Sequence, residues 1–85
     1  MKNTNQILEQ LQHKFVLYVK TSRFWNKLAI QEEELNHHKK AKEYDAVASF
    51  YGERRDECAH MYAFIKEIPW TDAYHELYAL LEETK

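Results

Sequence analysis

The chain reads as an all-α protein: a small bundle of three to four helices around one long central helix, in an oligomer. Three observations predict this. Of 85 residues only Gly52 and Pro69 are strong chain-breakers, so helix is the default almost everywhere. Apolar residues recur at three- and four-residue steps over most of the length. A single core in so short a chain is near the lower limit for independent stability, which favours association.

The elements follow in order within one domain, 1–85, with helices at about 5–20, 23–40, 44–68 and 72–83. Asn3 or Thr4 can cap the first helix, whose stripe is Ile7, Leu8, Leu11, Phe15, Tyr18 and Trp25. Thr21 and Ser22 interrupt it, and Ser22 is placed to cap a second helix from about Arg23 to Lys40. The alternative is a strand hairpin, FVLYV and FWNKLAI joined by KTSR, but it lacks the Asn-Gly or Asp-Gly chemistry of tight hairpin turns. QEEELNHHKK, residues 31–40, has a single strong hydrophobe, Leu35, and is a solvated face or the approach to a bend.

The central helix carries the strongest pattern. Tyr44, Ala48, Tyr51, Arg55, Cys58, Tyr62 and Ile65 alternate in steps of four and three, the seam of a helix packed at a shallow angle on another. Beside it Ala41, Ala48, Gly52, Ala59 and Ala63 form a row of small residues that lets a second backbone approach. Pro69 ends this helix, because the residue before a proline is driven out of helical geometry. Thr71 can cap a last helix lined by Tyr74, Leu77, Tyr78 and Leu81, with Trp70 packing back as part of a hydrophobic staple.

Composition narrows the function classes. One cysteine excludes an internal disulfide and a multi-cysteine zinc site, and points to a reducing compartment. No apolar run exceeds five residues, FVLYV at 15–19 among them, far short of the roughly 20 a membrane span needs. The run from Ile7 is cut at once by Glu9, Gln10 and Gln12, so no secretory leader is expected. These features predict a cytoplasmic protein without membrane contact. The net charge of -2 hides an asymmetry. Met1–Lys42 holds eight Lys and Arg against four Glu, giving +4, and Glu43–Lys85 four against ten acids, giving -6. Antiparallel packing of the halves, or of two subunits, would neutralise both; the alternative is that the asymmetry presents one sign to a partner.

Candidate chemistry is sparse. Cys58 and His60 are neighbours in DECAHMY, but residues two apart on a helix are separated by about 200°, so they cannot share a metal or a proton. Glu34–His37, Glu57–His60 and Asp72–His75 have the acid-x-x-His step that dinuclear helical bundles use twice over. The same step also occurs as ordinary surface support. A metal-binding bundle is thus an alternative, but no metal ligand is assigned and no cofactor is expected. Lys20, Arg23 and Lys27 share a face near Phe24 and Trp25, followed by Lys39, Lys40 and Lys42. Cations interleaved with aromatics suit phosphate contact and base stacking, so a nucleic-acid binder using Lys20, Arg23 and Lys27 is the main alternative. With no serine motif and no glycine-rich loop, an enzyme is not expected.

Six Tyr, four Phe and two Trp are more aromatic surface than so small a core encloses, and Tyr and Trp favour interfaces. The expected function is protein–protein interaction, with Tyr44, Ala48, Tyr51, Gly52, Arg55 and Tyr62 meeting a second copy in a homodimer or a target helix. Arg55 is expected to meet an acid across a helix interface. AKEYDAVASFYGERRDECAHMYAFI, residues 41–65, resembles small uncharacterised helical proteins of bacteriophages and prophages of Gram-positive bacteria. In those an Ala-rich, Tyr-containing helix carries a Tyr-x-Gly or similar element before a charged turn and a hydrophobic end. The resemblance implies a mobile-element origin and an accessory or inhibitory role against a host or defence protein.

Overall fold

The computed structural model describes residues 3–83 and contains three helices: α1, Thr4–Glu34; α2, His38–Lys66; and α3, Trp70–Glu83. The all-α bundle expected from the sequence is present, with no strand among the described residues. Asn3 starts α1 through a reciprocal capping box: its side chain accepts from the Gln6 amide at 2.9 Å, and Gln6 Oε1 accepts from the Asn3 amide at 3.1 Å.

Thr21 and Ser22 do not break α1. Thr21 Oγ1 donates back to the Leu17 carbonyl at 2.8 Å, a bond made inside an intact helix, and Ser22 Oγ donates across to the Ala48 carbonyl at 2.9 Å. The expected helices at 5–20 and 23–40 are therefore one rod. The chain turns instead at 35–37, within the polar stretch. Asn36 adopts the left-handed conformation (φ 62°), and the amides of Asn36 and His37 reach back to the carbonyls of Glu33 and Glu32 at 3.0 and 2.8 Å. Those bonds close a helix end by the Schellman pattern, which Asn tolerates better than most residues. As a result α2 begins at His38, six residues before the start expected at 44.

The second turn repeats the device with Glu67 at φ 56° and the Ile68 amide bonded to the Ala63 carbonyl at 3.1 Å. Pro69 follows. Its carbonyl accepts from the Ala73 amide, so α3 starts at Trp70 and Thr71 lies in the first turn rather than capping it.

α1 and α2 form an antiparallel hairpin, fixed by Gln12 against Tyr62, Tyr18 against Tyr51 and Trp25 against Tyr44. α3 folds back over the half of this hairpin far from the 35–37 turn, giving a molecule of 48 × 25 × 22 Å. The core lies where all three helices meet: Leu11, Phe15 and Val19 from α1, Cys58, Ala59, Tyr62 and Ala63 from α2, and Ala73, Leu77 and Leu81 from α3. Phe15 makes edge-on contacts with the rings of Tyr74 and Tyr78, at 6.2 and 5.1 Å between centroids.

Candidate interaction surface

The six residues expected at an intermolecular interface belong to one face of α2, and that face is covered by the chain's own helices. Tyr44 lies 5.4 Å from the Trp25 ring and Tyr51 lies 6.2 Å from Tyr18. Ala48 is buried beneath Ser22. The Tyr62 hydroxyl donates to Glu76 of α3 at 3.2 Å and accepts from Gln12 at 3.4 Å. The alanines of the small-residue row, Ala41, Ala48, Ala59 and Ala63, are buried within the chain's own fold. Gly52 is not compelled by close packing either: a Cβ there would sit 3.7 Å from Arg55 Nη2 and 4.0 Å from Ser22 Oγ, ordinary contact distances.

Arg55 pairs with its neighbour Asp56 at 3.0 Å, and the link to another helix is made by Asp56, which accepts a 2.6 Å bond from the Tyr74 hydroxyl of α3. Burial opposes charge on both partners, yet their hydrogen bonds prevail. Asp56 is held below the usual carboxylate range by Tyr74 and Arg55, and Arg55 is raised by Asp56. Burial first, and then its bond to Asp56, push Tyr74 up to about 12. Cys58 is buried in the core and its thiol is pushed up by that burial, the environment of a packing cysteine.

Lys20, Arg23 and Lys27 are all exposed on α1. Phe24 is 57% exposed beside them, whereas Trp25 turns inward to Tyr44. No acid occurs between Glu9 and Glu32, so the middle of α1 is uniformly cationic, while α3 carries Asp72, Glu76, Glu82 and Glu83 with no Lys or Arg. The acid-x-x-His pairs do not converge. His37 bonds Glu32 at 2.7 Å across the turn, Glu57 pairs with Arg54, and His60 lies edge-on to Trp70 and Tyr74. Among the described residues no three potential ligands stand close enough to hold a metal ion.

The surface that sequence reasoning missed lies on the flank of α2, about 100° round the helix from the inner seam. Val47, Phe50, Arg54, Glu57, Met61 and Phe64 are spaced three, four, three, four and three, the same alternation as the inner seam. Four of them are exposed, Glu57 together with Phe50 (50%), Met61 (54%) and Phe64 (84%), while Val47 and Arg54 are half-buried. At the centre Arg54 Nη1 bonds Glu57 Oε2 at 3.0 Å, and the guanidinium lies 5.0 Å from the Phe50 ring centroid. The row was legible as a second seam, but the stronger inner stripe drew the periodicity reading to itself.

No helix among the described residues is long and apolar enough to cross a membrane. Comparison with known protein families, with curated proteins and with solved structures finds no match.

Proposed function

We propose that this chain is a non-catalytic protein–protein interaction module of the cytoplasm, and that its contact surface is the outward side of α2. One observation carries the reading: Phe50, Met61 and Phe64 stand exposed along a single helical face and none of them joins the core. Single exposed hydrophobes are ordinary, but an aligned row of large ones marks a binding site. Anchors at such helical steps are what one helix offers to another helix or to a groove. The resemblance of residues 41–65 to small phage and prophage proteins adds the class of target, a host or defence protein that the module assists or inhibits. Immobilised wild-type protein should retain a discrete partner from an extract of its own host, and Phe64→Glu should not. Identical retention by the two would remove the outward side of α2 as the contact.

A second reading, nucleic-acid binding through α1, has its own observation in the exposed Lys20, Arg23 and Lys27 around an exposed Phe24. Filter binding across a salt series tests it, because a phosphate binder loses affinity steeply as salt rises. No retention at low salt disposes of it.

A further inference from the structure

Resting on the reading of the outward side of α2 as a contact face, we propose that its occupant is a second copy of this chain. The two α2 helices run antiparallel about a two-fold axis that passes between Arg54 and Glu57. Charge complementarity within the outer seam selects this arrangement. Centred on that axis, antiparallel pairing sets Arg54 against Glu57 of the second copy twice, Phe50 against Met61 twice, and Val47 against Phe64 twice. A parallel pair would set Arg54 against Arg54 and Glu57 against Glu57, like charges in contact, which is strongly unfavourable. Sliding an antiparallel pair by one heptad would press Arg54 on Phe50 or Phe64 and leave it without a carboxylate. A single polar layer in an otherwise apolar seam is the device that fixes helix orientation and register, and a two-fold contact needs a self-complementary patch.

The seam is prepared for this. Arg54 is held over Phe50 and tied to Glu57 before any partner arrives. Its Nη1 end, 42% of the side chain being exposed, lies at the surface beside the Glu57 carboxylate, within reach of a carboxylate of the second copy. In the pair, two Arg54 and two Glu57 close into a ring of alternating charge with no net excess. Just outside the seam, exposed Glu53 of each copy comes opposite exposed His60 of the other. From Val47 to Phe64 the contact runs about 26 Å along the helix.

Sedimentation equilibrium of the full chain tests the proposal. Wild type should approach twice 10.3 kDa as concentration rises. Arg54→Glu and Glu57→Arg, each placing like charges across the axis, should weaken association about a hundredfold while the helical circular dichroism is kept. The double variant R54E/E57R should dimerise again, and so should an equal mixture of the two single variants. A wild-type chain that stays at 10.3 kDa, or single variants that associate as wild type does, would overturn the second copy as occupant. The wider reading is scored separately by the extract experiment. If wild type is monomeric but retains a protein that Phe64→Glu loses, the face serves a different partner; if neither retains one, both readings fall.

Discussion

The two ends of the helical hairpin hide very different things. Where α3 lies over α1 and α2, the chain buries Phe15, Leu77 and Val19 almost completely. Toward the 35–37 turn, where only two helices meet, the buried positions are Ala29, Ala41 and Ala48, and the large rings of Trp25 and Tyr44 stay partly exposed. Two cylinders touching along a line can enclose only side chains small enough to fit between them. A third layer is what turns a seam into a core. Stability should therefore be concentrated at the three-helix end.

The largest test of that contrast is truncation. Phe15→Ala should cost about 3–5 kcal/mol, and Trp25→Ala less, about 2 kcal/mol, because part of its surface is already in water. Urea unfolding read by circular dichroism compares them, and equal losses would abolish the distinction. Amide exchange sharpens it, since residues around 24–48 should open well before those around 58–77.

The Tyr74–Asp56 bond is next. Tyr74→Phe should cost about 1–2 kcal/mol, a modest figure because Asp56 is partly in water. Its signature is in the pH profile. Asp56 is depressed in the folded chain, so its contribution is present above the ordinary carboxylate range and is lost as pH falls through the folded value. Tyr74 is raised, so its contribution is present below pH 10 and is lost as pH climbs toward about 12. Melting temperature against pH should flatten at both limbs in Tyr74→Phe, and an unaltered profile would refute the role given to the bond.

Ser22→Ala, which removes the hydroxyl bonded to the Ala48 carbonyl, should cost about 1 kcal/mol at the two-helix end. The smallest effect is a gain. Glu67 holds a left-handed conformation that glycine adopts freely, so Glu67→Gly should raise stability by about 0.5–1 kcal/mol in the same unfolding experiment.

Much of this architecture was legible in the sequence, and the parts that were not share a cause. Scarcity of Gly and Pro announced the helices, Asn3 announced the first cap, and Pro69 the last turn. Thr21 and Ser22 misled because a hydroxyl that favours helix ends can equally bond a carbonyl inside a helix or across to α2, and only the neighbour decides. A bend is one of the two readings that residues 31–40 allow, but its place at 35–37 is not fixed by them, because it depends on Asn36 accepting a left-handed backbone. At the candidate site periodicity located the inner seam but could not say whether its cover was α1, α3 or another molecule. The outer seam shares that periodicity and differs only in being uncovered, a property of the assembled hairpin and not of the string of residues.

The acid-free middle of α1, and α3 with no Lys or Arg, give the folded chain a cationic and an anionic region although its net charge is only -2. Such a particle should be held near neutrality by both cation- and anion-exchange resins, each gripping the pole of opposite sign. Its behaviour on a column, and its tendency to align head to tail at low ionic strength, will follow the separation of its poles more closely than its isoelectric point.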